Sequence, residues 1–317
     1  MSLIEQAAKR LEELKNAGID LGETDVPPLH GPAEAERATP RAPGPETVVL
    51  ELDARERAVH QARLERAAAA QARSRKISID LAHLAAAGMV TPDAPRSQIA
   101  DEFRIIKRPL LSNAQRRVST AGPSANLMMI TSALAGEGKT FTAVNLAMSI
   151  AMELDNTVLL VDADVANPTL PEVFGFPTSK GLLDVLTDPE TSLAEVMLRT
   201  NVPKLSILPA GTAHHRATEL LASEAMERLV TEMASRYDDR IVIFDAPPLL
   251  PNTESRVLAT HMGQIVLVVE ADKTAHGPLK QALATVQVCP IVMTVLNKAT
   301  RSDVGAYYGY RGYEYGE

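Results

Sequence analysis

The sequence contains few aromatic residues and almost no cysteine. Among 317 residues there is no Trp, five are Phe and six are Tyr, and the one cysteine is Cys289. A single cysteine excludes a disulfide framework and a cysteine-rich metal site. Because Cys289 lies in an apolar stretch, we interpret it as a small core residue rather than a nucleophile.

Long apolar runs and excess positive charge are also missing. No stretch approaches the roughly 18 apolar residues of a membrane-spanning helix, and the N-terminus lacks a signal-peptide core. The net charge of −8 argues against binding nucleic acid through overall charge. We therefore expect a cytoplasmic protein without a nucleic-acid partner, recruited to the inner face of the membrane only through a partner or a surface helix.

The tyrosines that are present are unevenly placed. Five of the six fall in the last eleven residues: Tyr307, Tyr308, Tyr310, Tyr313 and Tyr315. Glycines separate them, and so short a polar segment cannot build a core. This cluster needs a purpose other than packing.

The first 95 residues differ in texture from the rest. Residues 1–20 carry apolar side chains at helical spacing and predict an amphipathic helix, which either packs or self-associates, or docks on a partner or membrane surface. Residues 21–95 are rich in Pro, Gly, Ala and charge, and predict a flexible, partly helical linker.

From about Asn126 onward, short apolar runs of strand type alternate with longer helical patterns. The runs are NLMMIT, TVLLVD, KLSILP, RIVIFD, QIVLVV and PIVMTVL, and the helical patterns include FTAVNLAMSIAMEL and ATELLASEAMERLVTEMASR. This alternation predicts an α/β fold of the P-loop NTPase type, a doubly wound and mostly parallel sheet with helices on both faces. A helical or disordered N-terminal extension precedes it, and ligands are expected at the carboxyl ends of the strands.

The first of these strands runs into a P-loop pattern, ALAGEGKT, which is followed by a helix. Glycines allow the backbone N–H groups to wrap phosphate oxygens, and the helix N-terminus adds positive potential. Lys139 is predicted to reach the β- and γ-phosphates and Thr140 to place its hydroxyl on Mg²⁺. The expected ligands are ATP and Mg²⁺, and the expected ATP-binding residues are Ala135, Gly136, Glu137, Gly138, Lys139, Thr140 and Phe141.

Three aspartates follow two further strands. Asp162 and Asp164 come at the end of VLLVD-AD, and Asp245 ends IVIFD. The carboxyl ends of parallel strands lie at one edge of a sheet, so we expect these carboxylates to meet Lys139 there. One could hold Mg²⁺ while another accepts a proton from an incoming hydroxyl.

These motifs resemble the bacterial tyrosine kinases (BY-kinases) of capsule and exopolysaccharide systems. The P-loop, the paired aspartates in VLLVDADVANP, the IVIFDAPP strand and the tyrosine cluster occur in the family's order, over roughly Arg96 to Glu317. DEFRIIK is similar to the family's ring-assembly motif, with Asp101, Arg104 and Lys107 at its three charged positions. The N-terminal LIEQAAKRLEEL helix resembles stand-alone autokinases encoded with exosortase-linked exopolysaccharide loci.

The resemblance implies a function for each part of the chain. Residues 96–306 would be an ATP-dependent tyrosine kinase domain, and the tail 307–317 would be phosphorylated between subunits of a ring. Asp162 would accept the proton, and Thr140, Asp164 and Asp245 would serve Mg²⁺. The implied partners are further copies of the chain, a membrane-anchored polysaccharide chain-length regulator or co-polymerase, and a cognate tyrosine phosphatase. By analogy with related P-loop folds, Asn297 either contacts adenine or shapes a strand-end turn.

The assembly surface and the rival functions remain open at this point. Asp101, Arg104 and Lys107 recur every three residues and predict a charged helix face free to meet a neighbour, with Phe103, Ile106 and Leu110 turned to the core. The rivals are a Min- or partition-type ATPase, which would carry a lysine at the position of Leu134 and lack the tail, and a non-catalytic ATP-gated scaffold of a polysaccharide machine. A metabolic P-loop enzyme is a further alternative.

Overall fold

The computed structural model describes residues 75–115, 123–236 and 239–299. The predicted N-terminal helix, most of the predicted linker and the tyrosine tail lie outside these residues. Within the described ranges, none of the helices is both long and apolar enough to cross a membrane.

In the described residues a single sheet of eight strands organises the fold. The strands are β1 Arg75–Lys76, β2 Leu127–Ser132, β3 Thr157–Asp162, β4 Leu198–Arg199, β5 Leu205–Leu208, β6 Arg240–Asp245, β7 Gln264–Glu270 and β8 Ile291–Asn297. Their order across the sheet is β1-β4-β5-β3-β6-β2-β7-β8, and every neighbouring pair is parallel except β4 and β5. All six predicted strands are confirmed, whereas the two-residue β1 and β4 are too short to give an apolar pattern.

Helices follow most strands and lie on both sides of the sheet. They are α1 Leu81–Ala86, α2 Gln98–Gln115, α3 Lys139–Ala151, α4 Leu170–Phe174, α5 Leu182–Thr187, α6 Leu193–Val196, α7 Ala217–Leu221, α8 Glu224–Ser235, α9 Thr253–Ala259 and α10 His276–Thr285. The pattern ATELLASEAMERLVTEMASR forms two helices, α7 and α8. They separate at Ser223, whose hydroxyl caps α8 by accepting a hydrogen bond from the Met226 N–H at 3.3 Å.

Alternate residues of the central strands supply two hydrophobic cores. Leu127 and Met129 of β2 belong to the cluster on one face, and Met128 and Ile130 belong to the cluster on the other. All six residues of β2 are buried. A strand buried on both faces requires helices on both sides, so the predicted doubly wound α/β architecture is confirmed.

The folded unit begins earlier than the predicted linker boundary at residue 95. Ile79, Leu84 and Val90 are 3%, 1% and 0% exposed and pack in one of the two cores. The Val90 N–H also donates to Asn145 Oδ1 of α3 at 2.6 Å. Residues 75–95 therefore belong to the domain.

Helix α2 confirms one predicted face and corrects the other. Phe103 and Leu110 are buried and Ile106 packs against the core, as expected. Lys107, however, is 5% exposed, and its Nζ donates to the Ser149 carbonyl at 2.7 Å and pairs with Glu153. Residue 107 follows Phe103 by four and precedes Leu110 by three, so it lies on the buried stripe of the helix.

The other two residues of the charged motif lie at the surface. Asp101 and Arg104 side chains are 60% and 44% exposed and form an ion pair with each other. Arg104 Nη2 also donates to the Pro95 carbonyl at 3.0 Å. The exposed charged face of α2 therefore contains Asp101 and Arg104 but not Lys107.

Candidate functional site

The P-loop connects β2 to α3 through two glycines in the left-handed backbone region. Gly136 has φ +85° and Gly138 has φ +96°, conformations that other residues adopt only with strain. A Cβ at Gly138 would also lie 2.0 Å from Asn297 Nδ2, at the end of β8. The left-handed φ therefore favours glycine at position 138, and the Asn297 side chain occupies the space that a Cβ would take.

Lys139 and Thr140 open α3 and face the loop that follows β3. Lys139 Nζ lies 2.9 Å from Asp164 Oδ2, and the two side chains are only 14% and 7% exposed. Thr140 Oγ1 lies 3.3 Å from Thr169 Oγ1. The lysine of the P-loop is therefore held in the described structure by one of the predicted aspartates.

The sheet places the other two aspartates side by side. β3 and β6 are neighbours, Asp162 is in register with Asp245, and the Ala163 N–H donates to the Asp245 carbonyl at 2.8 Å. Through Asp164, Lys139 is joined to the same loop. The carboxyl edge of the sheet thus brings together four side chains that are far apart in sequence: Lys139, Asp162, Asp164 and Asp245.

Asp162 is fully buried, and the pKa of its carboxyl group is raised. Its Oδ2 accepts a hydrogen bond from the Leu170 N–H at 3.1 Å, while Oδ1 has no partner among the described residues. Loss of hydration raises the pKa of Asp162 to about 7, and the charge of Asp245 contributes to the rise. A carboxyl group with such a pKa can exchange a proton near physiological pH.

Asp245 is the more isolated of the two carboxylates. Neither of its oxygens makes a hydrogen bond within the described part of the chain, and both are buried. Burial raises the pKa of Asp245 to about 6, although the nearby Lys139 ammonium and Thr140 hydroxyl lower it. The site has more buried negative charge than its own cations neutralise.

This surplus fits a divalent cation. Mg²⁺ is typically bound in proteins by one or two carboxylates together with substrate phosphates. Among residues 75–115, 123–236 and 239–299, no set of three His, Cys, Asp or Glu side chains is arranged to hold a metal unaided. The carboxylates and the Thr140 hydroxyl are therefore suited to a metal that shares its ligands with a nucleotide.

Several contacts around the P-loop have no counterpart in the sequence-based predictions. Glu137 is 2% exposed, and its carboxylate accepts hydrogen bonds from the Leu134 N–H at 2.7 Å and from the Thr274 hydroxyl. Lys298 Nζ donates to the Gly136 carbonyl at 2.7 Å. No local motif marks Thr274 or Lys298, because only the order of the strands brings β7 and β8 to the P-loop.

Two predicted ATP-binding residues have structural contacts of their own. Asn297 Nδ2 donates to the Glu137 carbonyl at 2.9 Å. The Phe141 ring packs edge-on against Phe103 of α2, with 6.4 Å between the ring centroids. Ala135 lies exposed on the P-loop. The contacts of these residues with a nucleotide remain predictions.

The P-loop between a buried strand and a helix, on this sheet, defines a nucleotide-binding domain of the P-loop class. The AAA domain family model matches residues 126–298, which span the strands from β2 to β8. The glycines, Lys139 and the three aspartates all fall within the matched range.

Similar curated proteins and solved structures identify the family within the P-loop class. Tyrosine-protein kinase YwqD of Bacillus subtilis is 32% identical over 221 residues, which cover 68% of this chain and 88% of that protein. Tyrosine-protein kinase wzc of Salmonella typhi is 30% identical over 193 residues, but the chain spans only 26% of its length. The crystal structure of the VpsO kinase domain is 26% identical with a TM-score of 0.52, and the match covers 64% of this chain and 100% of that one. The chain belongs to the bacterial tyrosine-protein kinase family.

Proposed function

We propose that this chain is an ATP-dependent protein-tyrosine autokinase whose acceptors are the tyrosines of its own C-terminal tail. The observation that supports this most is the position of Asp162 at the carboxyl edge of the sheet, near the ion pair of Lys139 and Asp164. The pKa of this carboxyl group is raised to about 7. Family membership and the tyrosine-rich tail point to the same reaction.

The proposed reaction is an in-line displacement at the γ-phosphorus of ATP. The tyrosine oxygen forms a bond to phosphorus while the bond to the β–γ bridging oxygen breaks, and ADP leaves with that electron pair. Asp162 accepts the proton of the tyrosine hydroxyl, which its raised pKa permits. Lys139 holds the β- and γ-phosphate oxygens and offsets their charge.

Asp164 has two successive roles in this scheme. In the described structure Asp164 Oδ2 lies 2.9 Å from Lys139 Nζ, which keeps the largely buried ammonium paired. In the proposed complex the ammonium would contact phosphate oxygens instead, and Asp164, Thr140 and Asp245 would be the residues that hold Mg²⁺. Bound Mg²⁺ would neutralise charge that develops on the phosphates.

Access to Asp162 requires movement of the segment between β3 and α4. Asp162 is 0% exposed, and the Leu170 N–H at the start of α4 covers one of its oxygens. We therefore propose that residues 163–170 shift when a tyrosine enters. A closed segment keeps water from the proton acceptor until a substrate is present.

The tail tyrosines Tyr307, Tyr308, Tyr310, Tyr313 and Tyr315 are proposed to enter the site of a neighbouring copy. Glycine spacing disfavours their folding on their own domain, and each phosphorylation adds about −1.5 to −2 charge next to an acidic site. Modified tails would then leave and loosen the assembly. Among the exposed charges of α2, Asp101 and Arg104 are the pair through which copies would meet.

The proposed process is the control of exopolysaccharide biosynthesis or export. ExoP of Rhizobium meliloti, named as a succinoglycan biosynthesis transport protein, is 31% identical over 230 residues covering 71% of this chain and 28% of its own length. We further propose that a membrane-anchored chain-length regulator or co-polymerase reads the phosphorylation cycle, and that a cognate tyrosine phosphatase resets it.

Incubation of the purified full chain with Mg²⁺ and ATP tests the activity. We expect phosphotyrosine on the tail, located by mass spectrometry, and no phosphotyrosine for Lys139→Met, because the lost ammonium serves phosphate charge rather than packing. Circular dichroism should show that this variant remains folded. A wild-type chain that hydrolyses ATP without forming phosphotyrosine would support a partition-type ATPase instead.

A further inference from the structure

The P-loop carbonyls are held by side chains from the end of β8. Lys298 Nζ donates to the Gly136 carbonyl at 2.7 Å, and Asn297 Nδ2 donates to the Glu137 carbonyl at 2.9 Å. The partners are 162 and 160 residues apart in sequence. Two consecutive carbonyls of the phosphate-binding turn are thus fixed from a distant element.

A second set of contacts fixes the side chain of the same turn. The Thr274 hydroxyl donates to the buried Glu137 carboxylate and itself accepts from the Glu270 N–H at 3.1 Å. The Glu137 carboxylate also accepts the Leu134 N–H at 2.7 Å. The turn is therefore bound to the β7–α10 loop as well as to β8.

The geometry of the peptide unit links these contacts to phosphate binding. In a trans peptide the C=O of one residue and the N–H of the next point in opposite directions. With the Gly136 carbonyl directed to Lys298, the N–H of Glu137 points away from Lys298. The Asn297 contact fixes the N–H of Gly138 in the same way. Backbone N–H groups of this turn are the ones with which a P-loop cradles phosphates.

Lys298 makes its contact from a strained backbone. Its φ of +59° lies in the left-handed region, which residues other than glycine adopt only with strain. The ammonium also pairs with Glu270 Oε1 at 3.2 Å, with the Lys298 side chain 46% exposed. The strained residue lies beside the P-loop, and backbone strain of this kind is found mostly at functional sites.

We propose that Lys298, together with Asn297, is a positioning residue that holds the Glu137 and Gly138 amides ready for the nucleotide phosphates. The inference rests on the proposed ATP site and assigns a function to two side chains outside the P-loop motif. Lys298 acts through the P-loop backbone.

Lys273, in the β7–α10 loop, provides a matched control for Lys298. Lys273 pairs with the same Glu270 carboxylate, at 3.3 Å, and its side chain is 73% exposed. Among the described contacts, Lys273 has none to the P-loop. Comparing Lys298→Ala with Lys273→Ala therefore separates the carbonyl contact from the ion pair with Glu270.

The test measures the affinity of the full chain for a fluorescent methylanthraniloyl derivative of ADP with MgCl₂. Lys298→Ala should bind this nucleotide about fivefold more weakly, because it loses one charged hydrogen bond to the P-loop. Solvent exposure of that bond keeps the loss modest. Lys298→Gly should bind as weakly, although glycine relieves the strained φ. Lys298→Arg should restore affinity, and Lys273→Ala should match the wild type.

Hydrogen exchange distinguishes positioning from a general loss of stability. The peptide that contains Glu137 and Gly138 should exchange faster in Lys298→Ala, while the midpoint of urea unfolding stays within error of the wild type. Equal nucleotide affinities of Lys298→Ala and wild type, or an equal loss in Lys273→Ala, would overturn the inference. A wild-type chain that binds ADP but forms no phosphotyrosine would instead overturn the proposed kinase function.

Discussion

Replacing Asp245 by asparagine should change the stability of the nucleotide-free protein in a pH-dependent way. The free energy of unfolding of the variant minus that of the wild type should become more positive as the pH rises from acidic to neutral. Burial raises the pKa of Asp245 from its ordinary value of 3.8 to about 6. The folded chain then binds more protons than the unfolded chain between these values, so its stability falls as pH rises through this window. Asparagine does not titrate, and the variant lacks this contribution.

The size of the effect follows from the shift. A difference of about 2.2 pKa units, at 1.36 kcal/mol per unit, corresponds to about 3 kcal/mol of unfolding free energy. The buried amide that Asp245→Asn introduces would add a cost for its own donors, but that cost does not depend on pH. Removing the charge at position 245 should also lower the raised pKa of Asp162, which strengthens the trend.

The assay is urea unfolding in EDTA at several pH values between 4 and 7. Far-ultraviolet circular dichroism suits it, because the chain has no Trp. The free energy of unfolding of Asp245→Asn minus that of the wild type should rise by about 2.4 kcal/mol between pH 4 and 7, the part of the total that falls in this range. Added Mg²⁺ should stabilise the wild type more than the variant at pH 7.

Asp184 provides a control with the opposite sign. Burial by itself would raise the pKa of its carboxyl group, but hydrogen bonds from the Thr212 and Gly181 N–H groups hold that pKa below the ordinary value. Asp184→Asn should therefore lose stability relative to the wild type as pH rises. The difference in free energy of unfolding between Asp245→Asn and the wild type could instead be constant with pH. In that case groups of the protein itself would already compensate the buried carboxylate, and the case for a cation at this position would fail.

Three further predictions concern phosphoryl transfer, assembly and stability. Asp162→Asn should lower the rate of phosphotyrosine formation by about 10²- to 10⁴-fold while ADP affinity is retained; a wild-type rate would refute its role as proton acceptor. Arg104→Ala should lower both the oligomer mass by light scattering and the rate of tail phosphorylation. A fully assembled Arg104→Ala protein would contradict the assembly scheme. Lys107→Ala should instead lower the free energy of unfolding by about 1–3 kcal/mol, because it leaves the buried Ser149 carbonyl without its donor.

Much of the architecture could be predicted from local sequence patterns. Continuous apolar runs such as those of β2 and β3 identify strands buried on both faces, and the GEGKT turn identifies the strand-to-helix junction. These signals are local, because a strand, a turn and the first turn of a helix depend on near neighbours. The convergence of Asp162, Asp164 and Asp245 near Lys139 also follows from sequence, since parallel strands end at a common edge.

Sequence patterns are weaker wherever several elements together determine burial. The charge of Lys107 favours an exposed helix face, although positions 103, 107 and 110 form one stripe that the folded domain buries. Ile79, Leu84 and Val90 lie in a segment that its composition predicts to be a linker, and yet they pack in a core of the domain.

The sequence alone identifies the residues of the site: the P-loop, its lysine and three aspartates at strand ends. The burial, pKa values and contacts of these residues depend on the folded chain. Folding buries Asp162 and Asp245 away from water, which raises their pKa values, and it pairs Lys139 with Asp164. It also brings Lys298 to Gly136 across 162 residues. Hydration and long-range contacts depend on how strands and helices pack around one another, and a linear pattern of residue types contains neither.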